Sequence, residues 1–184
     1  MPREGTLLLL DRDGTLMEDV GYPNDPDAVR LIPGAAEAIR ELGDCGFVPA
    51  VASNQSGIAR GMISQEQALA VHGRFVELFE RESGVRLPCY YCPHGPEDGC
   101  ECRKPKPGLL VEAAKALDMV GRPAAMVGDK PSDVEAGRAV NAVSVWLSFG
   151  REYPAGEATP DFIANDWNEL AIYLKGLEIP HVGR

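Results

Sequence analysis

Hydrophobic residues occur along this chain as short uninterrupted runs that alternate with longer stretches of helical periodicity. The clearest run is Thr6–Leu10, in which four consecutive leucines precede Asp11. It is too short for a helix of ordinary length and has no amphipathic period, so it predicts a strand buried on both faces of a parallel sheet. Further strands are predicted by the same criterion at residues 47–52, 89–91, 124–127, 142–147 and 161–164.

The stretches between these runs carry apolar residues at the spacing of amphipathic helices, at about residues 34–43, 64–83, 107–117, 132–140 and 167–174. Ser64 with Gln67 is a capping-box signature, Leu69 is placed on the inner face of the helix that follows, and Ser132 is the expected cap of the fourth helix. Strands that alternate with helices predict an α/β fold, a doubly wound Rossmann-like parallel sheet with right-handed crossovers. No insertion is long enough for a second domain, so a single domain over residues 1–184 is expected.

Composition and charge exclude several classes of function. The 184 residues include 18 basic and 28 acidic side chains, a net charge of −10, which disfavours nucleic acid and anionic membrane surfaces as partners. The run of four leucines is too short for a signal peptide or a membrane span, so we expect a cytoplasmic protein. Four of the five cysteines lie between Cys89 and Cys102, and in a reducing compartment this crowding indicates a metal site rather than disulfides.

Polar side chains follow three of the predicted strands. Asp11 and Asp13 come after the first strand, Ser53 after the second and Asp129 after the fourth, while Lys104 precedes the third helix. The carboxyl ends of parallel strands meet at one edge of the sheet, where α/β proteins bind ligands. Oxygen ligands of this kind suit Mg²⁺ bridged to phosphate. Asp13-Gly14 alone would be equally typical of a simple turn.

In order along the chain, these residues resemble the four motifs of the haloacid dehalogenase superfamily of phosphotransferases. The motifs are DxDGT at residues 11–15, a strand-end Ser53, Lys104, and Gly128-Asp129 with a further Asp133. Asp133 is equally compatible with a carboxylate at a helix start. The resemblance implies a haloacid dehalogenase-like fold.

The resemblance also implies a role for each motif residue. Asp11 would be the nucleophile that forms an aspartyl-phosphate, and Asp13 would protonate the leaving oxygen and then activate water. Ser53 and Lys104 would hold the phosphoryl oxygens. A catalytic Mg²⁺ would be bound by the Asp11 carboxylate, the Asp13 backbone carbonyl and Asp129.

A second cluster combines a CxH pair with a CxC pair. Three thiolates and an imidazole complete a tetrahedral shell, which predicts a structural Zn²⁺ in a loop over residues 89–103. The predicted ligands are Cys92, His94, Cys100 and Cys102. Cys89 is an alternative to His94, because Cys89 and Cys92 also form a CxxC; we prefer His94, since the two ligand pairs are then symmetric.

The zinc cluster directly before Arg103 and Lys104 narrows the resemblance to the D-glycero-D-manno-heptose-1,7-bisphosphate 7-phosphatases and the related histidinol-phosphate phosphatases. Neither group has a large cap domain, and a monomer is implied. Gly21-Tyr22 and residues 54–61 match the heptose branch. The resemblance therefore implies release of the 7-phosphate to give heptose 1-phosphate.

Further residues are implied as contacts with this small anionic phosphorylated substrate. Arg103 and Lys130 would hold its second, non-reacting phosphate by charge-assisted hydrogen bonds, whereas Arg60 is about as well explained as a surface arginine. The complete implied set is Asp19, Val20, Gly21, Tyr22, Asn54, Gln55, Ser56, Arg60, Arg103 and Lys130.

Three alternatives stay open at this point. The five residues between His94 and Cys100 are a short spacing that is more like the histidinol-phosphate phosphatases. A zinc-stabilised binding module without catalysis is opposed by the intact motif residues. A zinc-ribbon protein that binds nucleic acid is opposed by the sign of the net charge.

Overall fold

The computed structural model describes residues 5–121 and 123–177. Within them a parallel sheet contains β1 Thr6–Leu10, β2 Phe47–Asn54, β3 Cys89–Cys92, β4 Pro123–Gly128, β5 Val143–Leu147 and β6 Phe162–Ala164. The helices are α1 Ala35–Asp44, α2 Gln65–Ser83, α3 Gly108–Ala116, α4 Pro131–Ala139 and α5 Trp167–Lys175. None of these described helices combines the length and the apolar character that crossing a membrane requires.

The strand order β3-β2-β1-β4-β5-β6 places β1 in the middle of the sheet. The chain builds outwards from β1 to β3, returns, and builds outwards again from β4 to β6. The direction of winding reverses between β1 and β4, and such a switch point is where an open α/β sheet forms its ligand crevice. Asp11 and Asp129 directly follow these two strands.

Helices cover both faces of the sheet, and β1 shows how the leucine run serves them. Leu8 and Leu10 belong to a core shared with α1, α2 and α5, whereas Leu7 and Leu9 belong to a core shared with α3 and α4. Successive residues of a strand point to opposite faces. An uninterrupted apolar run is therefore what a strand between two helix layers requires.

Two helix details differ from the prediction. Leu69 was placed on the inner face of α2 but is 60% exposed, and Val71 is buried instead. Ser132 does not cap α4, because the helix begins one residue earlier, at Pro131, with Lys130 as its N-cap. The backbone N–H of Lys130 donates to the Asp133 carboxylate at 3.1 Å. Ser64 and Gln67 do form the predicted capping box. The single-domain prediction includes residues outside the described ranges and stays a prediction.

The last helix closes the turn that follows the first strand. Trp167, the first residue of α5, is 1% exposed, and its indole Nε1 donates to the carbonyl oxygen of Thr15 at 3.0 Å. A buried indole N–H that finds such an acceptor avoids the cost of an unpaired donor. Helix α5 therefore fixes the backbone of the turn that carries the two motif aspartates.

Candidate active site

The carboxyl ends of β1, β2 and β4 bring the predicted motif residues to one crevice. All are nearly buried: Asp11 is 3% exposed, Asp13 7%, Ser53 1%, Lys104 3% and Asp129 7%. Gly14 makes the close approach of two strand ends possible. It has a φ of +80°, and a Cβ there would overlap the Asp129 carboxylate, so this turn accepts only glycine.

Lys104 reaches the crevice from the loop before α3 and uses every proton of its ammonium group. Nζ lies 2.9 Å from Asp11 Oδ1 and 2.6 Å from Asp133 Oδ1, and it donates to the Ala52 carbonyl at 2.6 Å. An ammonium has three protons, and all three have acceptors here. The lysine is thereby held between two carboxylates, beside the predicted nucleophile.

These charges set the ionisation of the site. Burial raises the pKa of Asp11, but the charges of Lys104 and Lys130 outweigh it and hold this pKa below its ordinary value. Burial lowers the pKa of Lys104, and Asp11 and Asp133 raise it above its ordinary value. Burial raises the pKa of Asp133 to about 6 and also raises that of Asp129. Asp11 is therefore the carboxylate most firmly kept as an anion, as a nucleophile must be.

Three carboxylates in the crevice could bind a cation. Asp11, Asp129 and Asp133 each offer an oxygen, and these oxygens lie within 4.8 Å of one another. Asp129 Oδ1 is buried without a hydrogen-bond partner among the described residues, which is expected where a cation serves as the partner. A set of oxygen donors fits Mg²⁺. Asp13 was predicted to bind the ion through its backbone carbonyl, and this ligand stays a prediction. The Asp13 carboxylate is bound by other side chains.

The Asp13 carboxylate is bound by two side chains. The guanidinium of Arg12 donates to both of its oxygens, from Nε to Oδ2 at 3.2 Å and from Nη2 to Oδ1 at 3.1 Å. The Gln55 amide donates to Oδ2 at 2.7 Å and to Ser53 Oγ at 3.2 Å, and its carbonyl accepts from Arg12 Nη2 at 3.0 Å. Gln55, predicted to contact substrate, thus directs its side chain to two motif residues.

Asn54 likewise directs its side chain inwards. Its Nδ2 donates to the Lys104 carbonyl at 2.9 Å, and its Oδ1 accepts from the Lys104 N–H at 3.0 Å. Both polar ends of the amide are used to fix one residue of the loop that carries the ammonium. This arrangement makes Asn54 a clamp on Lys104 in addition to its predicted contact with substrate.

The other predicted substrate contacts surround the crevice. Lys130 Nζ donates to Asp19 Oδ2 at 3.0 Å and so links the turn after β4 to the loop after β1. In that loop Gly21, at a φ of +81°, donates its N–H to Asp19 Oδ1 at 2.8 Å. Val20 is 60% exposed, and a Cβ on Gly57 would overlap the Tyr22 ring.

The remaining contacts of this set lie on two other loops. Ser56 and Arg60 share the turn after β2, where the Ser56 carbonyl accepts from the Arg60 N–H at 3.0 Å, and Arg60 is exposed. Arg103 Nη1 donates to the His94 carbonyl at 3.2 Å, which ties this arginine to the cysteine cluster.

The four predicted zinc ligands come together. The sulfurs of Cys92, Cys100 and Cys102 are 3.2–3.7 Å apart, and His94 Nδ1 is 3.3 and 3.5 Å from the Cys102 and Cys92 sulfurs. A tetrahedral site with Zn–S bonds of about 2.3 Å places its sulfurs about 3.7 Å apart. Cys89 lies outside the cluster, and its thiol donates to the Leu87 carbonyl at 3.4 Å. The geometry favours the ligand set with His94.

Two residues of the site, Arg12 and Arg151, were not predicted, and Asp133 was predicted with two equal interpretations. Asp133 was left between two interpretations, and it serves both, since Oδ1 contacts Lys104 while Oδ2 accepts from the Lys130 N–H. Arg12 carried one available hint: a charged residue directly after a buried strand needs a partner. Arg151, whose Nη1 donates to Asp129 Oδ2 at 3.3 Å, lies in a loop after β5 in which no motif was recognisable.

Comparisons with known proteins agree with this site. A family model described as HAD-hydrolase-like matches residues 101–170. A D-glycero-beta-D-manno-heptose-1,7-bisphosphate 7-phosphatase of Yersinia pestis is 38% identical over 178 residues, covering 91% of this chain and 94% of the relative. The protein of the same name from Pseudomonas aeruginosa is 42% identical over 149 residues, covering 79% and 83%.

Solved structures include a similar fold with bound ligands. The crystal structure of D,D-heptose 1.7-bisphosphate phosphatase from B. bronchiseptica, complexed with magnesium and phosphate, has a TM-score of 0.81 and 31% identity. The match covers 92% of this chain and 97% of that chain. This similarity confirms the predicted doubly wound haloacid dehalogenase-like fold.

Proposed function

The chain belongs to the D-glycero-D-manno-heptose-1,7-bisphosphate 7-phosphatase family, and from this premise we propose that it releases the 7-phosphate of the heptose bisphosphate as inorganic phosphate. The remaining product is heptose 1-phosphate. One observation carries the proposal: Asp11 lies at the switch point of the sheet, paired with a buried Lys104 and close to Asp129. These are the groups that a phosphoryl transfer through a carboxylate needs.

The proposed reaction has two steps at Asp11. Its carboxylate attacks the phosphorus, the bond between phosphorus and the C7 oxygen breaks, and Asp13 gives its proton to that oxygen. Asp13 then takes a proton from the water that attacks the aspartyl-phosphate, and phosphate is released. Ser53 and Lys104 hold the phosphoryl oxygens in both steps, and Lys104 does so by turning to the phosphoryl group the proton that it shares with Asp11 in the free enzyme.

The carboxylate cluster supports a place for Mg²⁺, with Asp11, Asp129 and the Asp13 backbone carbonyl as the proposed ligands. Bound there, Mg²⁺ supplies the charge that allows an anionic nucleophile to approach an anionic phosphate. Arg151 contacts Asp129 Oδ2, while Oδ1 has no hydrogen-bond partner within residues 5–121 and 123–177. We infer that Arg151 orients this carboxylate toward the ion.

The preference for a bisphosphate is assigned to cations at the mouth of the crevice. Lys130 is 48% exposed in its side chain and is held at the site by Asp19, and Arg103 is anchored on the zinc loop. Binding energy from a second, distant phosphate favours a bisphosphate over a monophosphate. The two curated relatives are named for the β-anomer, so we expect this anomer to be the better substrate.

The zinc loop has a proposed structural role. A closed shell of Cys92, His94, Cys100 and Cys102 leaves no position for substrate. The loop precedes Lys104 directly, and Arg103 donates to the carbonyl of His94. A bound Zn²⁺ would therefore fix the loop that carries Arg103 and Lys104.

The proposal is tested by phosphate release from both anomers of heptose 1,7-bisphosphate and from histidinol phosphate, each with Mg²⁺ and with EDTA. We expect Mg²⁺-dependent turnover of a bisphosphate, fastest with the β-anomer, and loss of turnover in Asp11→Asn. Preference for histidinol phosphate would overturn the substrate and would favour the alternative that the short spacing between His94 and Cys100 suggests. Full turnover by Asp11→Asn would overturn the mechanism.

A further inference from the structure

Arg12 contacts the site, and it is the most deeply buried arginine among the described residues. It stands between the two motif aspartates, is 3% exposed, and occupies the first turn after β1. A buried guanidinium is costly unless its donors are satisfied. The groups that accept from its donors therefore show what Arg12 does in the site.

The donors of Arg12 are directed at the proposed acid and base. Nε and Nη2 form a fork on the two oxygens of Asp13, at 3.2 and 3.1 Å. A planar fork of this kind fixes the orientation of a carboxylate as well as its charge, which an ammonium cannot do. The fork thus holds Asp13 in one rotamer.

Gln55 completes the arrangement from the end of β2. Its Nε2 donates to Asp13 Oδ2 at 2.7 Å, while its carbonyl accepts from Arg12 Nη2 at 3.0 Å. The three side chains therefore form a closed ring of hydrogen bonds. We call Arg12 and Gln55 the Asp13 clamp.

Counting lone pairs shows what the clamp leaves available. A carboxylate has about four acceptor sites, two on each oxygen. Among the described residues, Oδ2 accepts from Arg12 Nε and Gln55 Nε2 and also lies 3.1 Å from Arg12 Nη2, whereas Oδ1 accepts from Arg12 Nη2 alone. One site, on Oδ1, stays open for a proton.

We propose that Arg12 and Gln55 are positioning residues which direct proton transfer by Asp13 through Oδ1. The inference rests on the proposed function, because it assumes that Asp13 exchanges a proton with the leaving oxygen and then with water. The clamp would hold Oδ1 in place in both steps. Loosening it would misplace the proton without removing the nucleophile.

The Tyr91 ring packs against Arg12 of the clamp. The Arg12 guanidinium lies over the Tyr91 ring at 5.3 Å from its centroid, and the Tyr91 hydroxyl shares a hydrogen bond of 2.6 Å with His72 Nδ1 of α2. A cation over an aromatic face is stabilised there. This packing restricts Arg12 to the plane from which it reaches Asp13.

Two conservative variants test the clamp. Arg12→Lys keeps the charge and loses the fork; Gln55→Met keeps the length of the side chain and removes the Nε2 donor without adding a charge. The matched controls are Arg138→Lys, which replaces an arginine that donates to the Thr159 carbonyl, and Gln67→Met in the capping box of α2. Urea unfolding of each variant shows whether it is folded, and Gln55→Met decides the test if Arg12→Lys is not.

The readout compares two leaving groups. An alkoxide must be protonated as it leaves, whereas p-nitrophenolate leaves without a proton. General acid catalysis is worth about 10²–10⁴-fold, so a misplaced acid should cost about 10–100-fold in kcat for an alkyl phosphate with KM nearly unchanged. The rate of the first p-nitrophenolate release should change less than about threefold.

Hydrolysis of the aspartyl-phosphate gives a second readout, because Asp13 is the base in that step. Both clamp variants should show a burst of p-nitrophenolate followed by slow turnover, and both controls should behave as the wild type. Equal losses with alkyl and aryl phosphates, or no loss with either, would overturn the inference. The comparison uses any alkyl phosphate that the wild type hydrolyses, so it can fail independently of the heptose assay.

Discussion

Removing the ammonium of Lys104 should destabilise the fold strongly, and removing one of its counter-charges as well should cost less than it does in the wild type. Lys104→Met leaves the carboxylates of Asp11 and Asp133 facing each other in a site where the lysine side chain is 2% exposed. The Ala52 carbonyl also loses its donor. The charge is lost while its partners stay buried.

The magnitude follows from this burial. Breaking a buried ion pair by removing one partner costs about 3–5 kcal/mol, because the other charge is left uncompensated. Lys104→Met should therefore lower the free energy of unfolding by about this amount. Asp133→Asn alone removes one of two counter-charges and should cost less. The double variant should be more stable than the sum of the single losses predicts, by about 1–3 kcal/mol.

The assay is a double-mutant cycle in urea, followed by circular dichroism, in buffer without added Mg²⁺ so that this cation does not replace the lost charge and without a chelator that would remove zinc. The control cycle is Lys106→Met with Glu101→Gln, an ion pair at 2.8 Å whose side chains are 45% and 85% exposed. It should show no measurable coupling, because exposed pairs are screened by water. Additive losses at Lys104 and Asp133 would refute the reasoning that the lysine balances two carboxylates.

Three further predictions concern the metals and the last helix. Cys92→Ser should release zinc, measured by atomic emission, and lower the melting temperature, whereas Cys89→Ser should do neither; retained zinc would contradict the ligand set. Trp167→Phe removes one buried N–H donor and should cost about 1 kcal/mol in urea unfolding; unchanged stability would contradict the closing role of α5. Arg151→Ala should weaken Mg²⁺ binding, measured by calorimetry, by about tenfold through Asp129; unchanged affinity would contradict its orienting role.

Local pattern was sufficient for the features that depend on one segment. The leucine run predicts β1 because a strand between two helix layers has no polar face, and the capping box at Ser64 is complete within four residues. The prediction failed for Leu69, which is exposed. Helical spacing identifies a possible stripe, and tertiary packing decides which neighbouring positions are buried.

Contacts between distant segments could not be predicted in this way. Asn54 and Lys104 are 50 residues apart, and only the folded chain shows that the amide holds the lysine backbone. Asp133 was ambiguous for a physical reason, since one carboxylate has two oxygens and uses one for the helix start and the other for Lys104. Residue type and spacing therefore predicted the chemistry of the site, and the folded chain was needed to show which side chains hold it in place.

The hydrogen bond between Trp167 and Thr15 determines when, during synthesis of the chain, the active site is completed. It joins residues 152 positions apart, so the turn beside the nucleophile is synthesised well before α5 and acquires this restraint only after α5 has left the ribosome. We therefore expect that a nascent chain lacking α5 does not yet hold its motif aspartates in their final geometry. Hydrolysis would then begin only after α5 has been made, and a nonsense mutation between residues 134 and 167 would abolish it although every motif residue had been made.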